Sequence, residues 1–417
     1  MDIAIIGTGI TGLSIAQMLK KKKHNVVLFE QQQKIGGLIK CERVQDCLFH
    51  KVGGHVFNAK NKEVFDWFWS FFDREKEFYK IKRKAKILFD NKIIGYPIEN
   101  YLYLLQNNNI KNIFSELIEI QKQAYKSPFE YDNFEEFLKE NFGDTLYEIY
   151  FEPYNKKIWN TKLNLIPMIW LKGKLPMPDF KEIVLSNVIR EEENKMVHST
   201  FYYPKNEGSQ FIVNRLSENL EIKKLFNPDD LRIETQKIVI GKQEFDKIVY
   251  TGNVKKMPKS IQMLLNNETK EQLNNLKSNG TSNLFCETDK IDISWLYIPQ
   301  NFTKAHRIIY TGNFAESNNR GSQRKTCVVE FSGKVSIEDM TNEIKKLPGN
   351  LSPISFNCEE NSYVIQNKNT RSLIQKTKDI LEPNNIFLLG RFAEWEYYNM
   401  DKAVEAAMNL VKKIEIK

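Results

Sequence analysis

Gly7-Thr8-Gly9-Ile10-Thr11-Gly12 sets three glycines at GxGxxG spacing directly after the apolar run Ile3 to Ile6. Each glycine answers a separate steric need. Gly7 permits a tight turn, Gly9 lets a pyrophosphate approach the backbone, and Gly12 lets the next helix pack against the strand. The helix that follows presents free N–H groups and a partial positive charge that favour phosphate. The motif is informative because it joins a strand to a helix. Glu30 closes the next apolar run, Val26 to Phe29. A carboxylate there accepts hydrogen bonds from ribose hydroxyls and repels a 2′-phosphate. NADP is disfavoured, while FAD and NAD both remain open.

Positioning these groups requires a βαβ unit: strand Ile3 to Ile6, helix Leu13 to Lys22 and strand Val26 to Phe29. Asn61 can cap a helix running to Phe72. Lys86 to Phe89 and Lys92 to Tyr96 flank Asp90-Asn91 as a hairpin that Pro97 ends. Ile110 to Tyr125, Phe134 to Phe142 and Asp144 to Tyr154 carry helical spacing. A loop is expected over Leu171 to Pro178, a helix over Gly208 to Leu220, a strand over Asp246 to Tyr250 and a helix over Lys256 to Leu276. Strand-like runs follow at Ser282 to Glu287, Trp295 to Pro299, Arg307 to Thr311 and Thr326 to Phe331. Ile386 to Leu389 and Lys402 to Ile416 return to strand and helix. The fold class is α/β: a Rossmann-like, doubly wound parallel sheet with an inserted helical lobe and a second mixed or antiparallel sheet domain. Residues 1–60, 205–260 and 365–417 form the dinucleotide domain. Residues 61–82 and 98–170 form the lobe, and 83–97, 171–204 and 280–364 the second sheet domain.

A chain of 417 residues, 41% hydrophobic, can bury more than one core. The net charge of +8 comes from scattered lysines such as Lys20 to Lys23, a solvated surface rather than a nucleic-acid module. Five cysteines without a CxxC pair imply no disulfide framework and no metal site. Reduced thiols and the absence of a leader segment point to the cytoplasm. No apolar run nears the ~20 residues of a membrane-spanning helix.

Glu30 followed by Gly36-Gly37, with Gly390-Arg391 after a late strand, resembles the glutathione-reductase-like and amine-oxidase-like FAD proteins. A longer series resembles the UDP-galactopyranose mutase family, most closely its eukaryotic branch. Gly53-Gly54-His55-Val56-Phe57 is similar to its GGHV segment, and Tyr96-Pro97-Ile98-Glu99 to YPFQ. Pro153-Tyr154-Asn155-Lys156-Lys157-Ile158-Trp159 is similar to PYNxKVW. Trp295 to Pro299, with Arg307 and Asn313-Phe314, resembles WLYFP, its arginine and NYS. Gly390 to Tyr397 resembles GRxxxWxY, and Tyr398-Asn399-Met400-Asp401 the bacterial YYDMD. The matches keep family order and span the chain.

The resemblance implies FAD, active when reduced, and a redox-neutral isomerase. Flavin N5 attacks the anomeric carbon of a nucleotide sugar, UDP leaves, the sugar changes between pyranose and furanose rings, and UDP returns. It also implies an external reductant such as NAD(P)H and a place in cell-surface polysaccharide biosynthesis, and leaves room for a homo-oligomer. Carried over by position, Gly7, Gly9, Ile10, Thr11, Gly12, Glu30, Gly36, Gly37, Gly54, His55, Gly390, Arg391 and Met400 hold the cofactor. His55 and Arg307 are catalytic. Tyr96, Asn155, Trp159, Tyr202, Arg307, Tyr397 and Tyr398 hold the substrate. The alternatives are an FAD oxidoreductase of the amine-oxidase or protoporphyrinogen-oxidase type and a flavin-binding protein without catalysis.

The chain departs from the family at three places. Tyr202 stands where the eukaryotic enzymes carry a second arginine, with Lys205 nearby as a compensating charge. Glu99 replaces a glutamine. Asn206 to Gln210 replaces GGTGG.

Overall fold

The computed structural model describes residues 1–416 apart from 125, 129, 169–179, 191–198, 235 and 236. The loop expected over 171–178 lies outside the described residues.

The N-terminal apolar run forms the strand Asp2–Ile6, and the helix Ile10–Lys21 leads to the strand Asn25–Glu30. These two strands pair in parallel, Ile3 opposite Val26 and Ile5 opposite Leu28. Three later strands complete a five-stranded sheet in the order Ile386–Leu388, Lys247–Tyr250, Asp2–Ile6, Asn25–Glu30, Glu221–Lys224, parallel throughout. Alternate residues sort onto opposite faces, as a doubly covered strand demands. Ile3 and Ile5 pack with Leu13, Ile212 and Val404 from three helices, while Ala4 and Ile6 pack with Ile248, Tyr250 and Trp395. Each large apolar side chain buried this way contributes roughly 1.5–3 kcal/mol. The chain order reverses between Asp2–Ile6 and Lys247–Tyr250, where an open α/β sheet leaves a crevice for ligand. The turns that follow these two strands, with Gly7 to Gly9 and Thr251 to Asn253, both face that crevice.

A second, seven-stranded sheet runs Ser352–Ile365, Lys277–Thr288, Lys325–Ser332, Ala305–Ile309, Trp295–Tyr297, Ala85–Phe89, Lys92–Gly95. Only the pair Trp295–Tyr297 with Ala85–Phe89 is parallel among these neighbours. The hairpin turns on Asp90-Asn91, both at positive φ (49° and 59°), as a two-residue turn matching strand twist requires. The fourteen-residue edge strand Ser352–Ile365 has no counterpart in the sequence expectations. It carries Pro353 and the polar run Asn357 to Asn361, and its side chains alternate between half-buried and exposed over most of its length.

The lobe contains Asn107–Ile120, Phe134–Phe142 and Glu152–Trp159, packed on one core with Trp295, Tyr297 and Phe314 of the mixed-sheet region. The helix expected over 144–154 is interrupted by a π-helical segment, Tyr147–Phe151. The single helix expected over 256–276 is instead Lys259–Gln262 and Asn267–Asn274, separated by a turn. The Asn266 side chain caps the second of these by accepting from Thr269 N–H at 2.8 Å, which starts a new helix rather than extending the first. Asn61 caps Lys62–Trp69 as expected. Among the described residues no helix is long and apolar enough to cross a membrane.

A Cβ at Gly12 would lie 2.1 Å from the Gly7 carbonyl oxygen, a backbone atom that cannot swing away. Gly→Ala inside a helix ordinarily stabilises by up to about 1 kcal/mol. Here Gly12→Ala is expected to destabilise by roughly 1–3 kcal/mol or more through overpacking. A urea midpoint at or above that of the parent would contradict this close approach.

Candidate cofactor and substrate cavity

One cavity of about 580 Å³ runs from the glycine turn to the mixed sheet. At the first end, Gly7 adopts φ +108° and its N–H donates to the Phe29 carbonyl at 2.8 Å, folding the turn back over the sheet. Gly9 caps Ile10–Lys21 without any side-chain bond, so the first-turn amides have no internal partner. A Cβ on Gly9 would meet nothing closer than the Gly37 Cα at 3.9 Å. The fold therefore tolerates a side chain there, and the open space serves whatever lies against the turn. Glu30 is held ready: one carboxylate oxygen accepts from Thr8 N–H at 3.1 Å and from the Thr8 hydroxyl, the other from Gln32 N–H at 2.9 Å. Gly36 and Gly37 form the wall beside Gly9.

At the cavity's centre, Gly53-Gly54 carries His55, whose Nε2 is buried without a partner among the described residues. Burial, reinforced by Arg391 and Arg307, holds this imidazole down to about 4. Arg391 also lines the cavity; it donates to the Ser362 carbonyl at 2.9 Å and the Tyr398 carbonyl at 2.5 Å. Met400, at the head of Met400–Ile416, lies on the same wall.

The far end is built on one buried carboxylate. Glu330 is fully buried and accepts from Arg307 Nη2 at 2.8 and 2.9 Å, from the Tyr363 hydroxyl at 2.8 Å and from His306 Nε2 at 2.9 Å. Two consecutive residues reach it because the strand Ala305–Ile309 bulges: Ala305 pairs with Phe331 and Arg307 with Glu330, leaving His306 as the extra residue. Although burial opposes it, the Arg307 guanidinium and the His306 hydrogen bond hold the Glu330 carboxyl well below the usual carboxylate range. The pair is ionised, and removing one partner would strand the other charge at a cost of about 3–5 kcal/mol. Tyr363 stacks on Tyr397 at 5.9 Å, Trp159 stands edge-on to both, and the Arg391 guanidinium lies 4.5 Å over the Tyr397 ring.

Of the residues expected from sequence, Gly7, Gly9, Ile10, Thr11, Glu30, Gly36, Gly37, Gly54, His55, Arg307, Arg391, Tyr397, Tyr398 and Met400 line this cavity. Gly12 lies behind the turn, and Gly390 packs on Thr11. Tyr96 sits just outside, its ring 5.0 Å from cavity-lining Tyr297. Asn155 is committed within its own helix: Nδ2 donates to the Phe151 carbonyl at 2.8 Å, and Oδ1 accepts from Trp159 Nε1 at 3.2 Å. Tyr202 is not a cavity residue. Side chains alternate along Thr200–Pro204, so Phe201 and Tyr203 face Phe314 while Tyr202 turns to Trp69 and Phe65. Lys205 does not compensate, because its ammonium donates to the Glu75 carbonyl at 2.8 Å outside the cavity. Glu99 is buried off the cavity.

The sequence reading missed Arg83, Glu330 and Tyr363. Arg83 lines the cavity and donates to the Tyr297 hydroxyl at 2.6 Å. It stands in the lysine-rich run Lys80 to Lys86, where one more cation carries no signal. Glu330 does leave a trace in sequence: a lone carboxylate inside Thr326 to Phe331, an otherwise apolar strand.

Residues 5–73 match the model of the NAD(P)-binding Rossmann-like domain family. A UDP-galactopyranose mutase of Mycoplasma genitalium is 23% identical over 97% of this chain and 92% of its own length. A dTDP-fucopyranose mutase of Escherichia coli is 26% identical over 42% of this chain and 46% of its own length. The solved structure of a reduced UDP-galactopyranose mutase superposes with TM-score 0.84 and 20% identity, covering 99% of this chain and 95% of that one. The chain is similar to UDP-galactopyranose mutases along almost its whole length. The organisms named are bacterial, and the expected tie to the eukaryotic branch gains no support from them.

The cavity suits a dinucleotide on its own geometry. The turn leaves space beside Gly9, the adjacent helix offers unpaired amides, Glu30 closes the second strand beside the turn, and the buried Nε2 of His55 lacks a partner among the described residues. Gly9→Val is expected to leave the thermal unfolding midpoint within a few degrees of the parent while abolishing visible flavin absorbance. Full yellow colour in that variant would contradict the placement of the phosphates.

A second expectation concerns acid. Burial holds His50, whose Nε2 lies 2.6 Å from the Tyr203 hydroxyl, down to about 3, so it and His55 stay neutral in the folded chain. The unfolded chain protonates both near 6.5. Their contribution to stability is therefore complete above pH 6.5 and is lost as pH falls from 6.5 toward 4, by about 1.4 kcal/mol per pH unit for each ring. Urea unfolding across that range should show the decline, and His50→Gln should remove one ring's share. An unchanged slope in His50→Gln would show that His50 is not held neutral.

Proposed function

We propose that this chain is an FAD-dependent nucleotide-sugar mutase that interconverts the pyranose and furanose forms of its substrate, with UDP-galactose the first candidate. What carries the reading is the convergence, in one cavity, of a dinucleotide turn and the Arg307–Glu330–Tyr363–Tyr397 assembly. The similarity to mutases acting on two different nucleotide sugars supports the same class of reaction.

On this reading the amides after Gly9 hold the diphosphate bridge of FAD, Glu30 its adenosine ribose, and Gly36, Gly37, Gly54, Arg391 and Met400 the walls around it. When bound and reduced, the flavin supplies the nucleophile for the anomeric carbon. The remaining work belongs to the chain. Arg307 spends its Nη2 on Glu330 and Tyr363, at 2.8–3.0 Å, which fixes the guanidinium plane. Its other edge serves the departing nucleoside diphosphate, where charge develops as the glycosidic bond breaks. Tyr397 adds a hydroxyl donor at the same wall, and Tyr398, its hydroxyl bonded to Glu394, adds its ring. Burial raises the Tyr363 and Tyr398 hydroxyls well above their usual range, so they remain protonated donors at working pH. His55, neutral at pH 7 and hydrogen-bonded to the Leu38 backbone, offers Nε2 as an acceptor beside the cofactor.

The test is to incubate dithionite-reduced protein with UDP-galactopyranose and related nucleotide sugars, resolving ring isomers by chromatography. Interconversion without net electron transfer is expected. Consumption of an electron acceptor in proportion to substrate oxidised would replace the mutase with the oxidoreductase alternative.

A further inference from the structure

The cavity holds two arginines whose charges are met differently. Arg307 is neutralised by Glu330. Arg83 reaches the same cavity from the segment preceding Ala85–Phe89, yet no carboxylate pairs with it among the described residues. One Nη donates to the Tyr297 hydroxyl at 2.6 Å, and the guanidinium lies 5.6 Å over the Tyr96 ring and 5.4 Å over the Trp295 ring. Its Nε is buried without a hydrogen-bond partner among the described residues. Aromatic faces and one hydroxyl offset only part of the cost of taking a cation out of water. Carboxylates are at hand, since the neighbouring Lys84 pairs with Asp292. Among the described residues Arg83 goes unanswered by a carboxylate while it stands on a cavity wall.

The positions where sequence anticipated a second cation do not supply one. Tyr202 faces Trp69, and Lys205 is tied to the Glu75 carbonyl. We propose that Arg83 is the second diphosphate-binding cation of this cavity, holding the phosphate of a nucleoside diphosphate that Arg307 does not. This rests on the nucleotide-sugar reading above. A planar guanidinium already ordered between two rings can grip a phosphate through two N–H donors, which a lysine cannot.

Calorimetric titration of the flavin-loaded protein with UDP, with inorganic pyrophosphate and with uridine tests the proposal. The variants are Arg83→Met and Arg83→Gln, the second serving where the first does not fold, with bound flavin as the check on integrity. Loss of the charge should weaken UDP and pyrophosphate by roughly ten- to a hundredfold while leaving any uridine affinity unchanged. Parental affinity for both anions in the variants would overturn the role of Arg83 and leave the mutase reading intact. A parent protein that ignores UDP but binds pyrophosphate through Arg83 would uphold the anion site and sink the nucleotide reading. A parent that binds neither anion would overturn the proposal outright.

Discussion

A charge withdrawn from water must be met by an opposite charge or by oriented dipoles, and this condition shapes the cavity more than any other. Arg307 satisfies it through Glu330, and the surrounding architecture is arranged to make that pairing work. The carboxylate stands on an inner strand of the mixed sheet, flanked by Lys277–Thr288 and Ala305–Ile309. The bulge at His306 lets two neighbouring residues reach it together. Tyr363 arrives from Ser352–Ile365, two strands away, and supplies a third donor. Its stacking on Tyr397 then carries the order to the segment after Gly390. Four separate stretches of chain are fixed by one ion pair and its donors.

The opposite end of the cavity is governed by close approach rather than charge. The Gly7 carbonyl lies so near Gly12 that no Cβ fits between them, which presses Ile10–Lys21 onto the parallel sheet. The same turn leaves space at Gly9, where the fold itself asks for none. One motif thus carries two requirements, tight on the structural side and open on the ligand side. Sequence spacing alone cannot tell these apart, because both are written as glycine.

What could be read from sequence follows from the range of the forces involved. The βαβ opening and the hairpin at Asp90-Asn91 were legible because local periodicity and turn chemistry decide them. The cofactor end of the cavity was legible for the same reason, since Gly7 to Gly12, Glu30 and Gly36-Gly37 lie close together in the chain. Ser352–Ile365 was not, because an edge strand with one wet face needs little apolar pattern. Tyr202 was misplaced because its position in a motif says nothing about which face of a strand it takes, and a shift of one residue reverses the face. Arg83 was hidden among lysines, and only its place on the cavity wall separates it from them. Interrupted helices at Tyr147–Phe151 and Asn266 escaped because caps and π-helical segments compete with the helical period on equal local terms.

On the proposed mutase reading, the two arginines also divide the handling of an anion in a way suited to a group that must leave and come back. A pair such as Arg307–Glu330 adds little net charge, so it orients a diphosphate without holding it in a deep well. On that reading Arg83, with no partner carboxylate among the described residues, adds net attraction, and its position between Tyr96 and Trp295 fixes where that attraction is felt. Tyr96, Tyr154, Tyr363 and Tyr398 are all raised above their ordinary range by burial, so they stay neutral donors and do not add to the charge as pH changes. Binding strength then rests on one cation and direction on many hydroxyls. A mutase that must recapture the leaving group it expels would gain from that division, because tighter ground-state binding would lower the rate of departure without helping return.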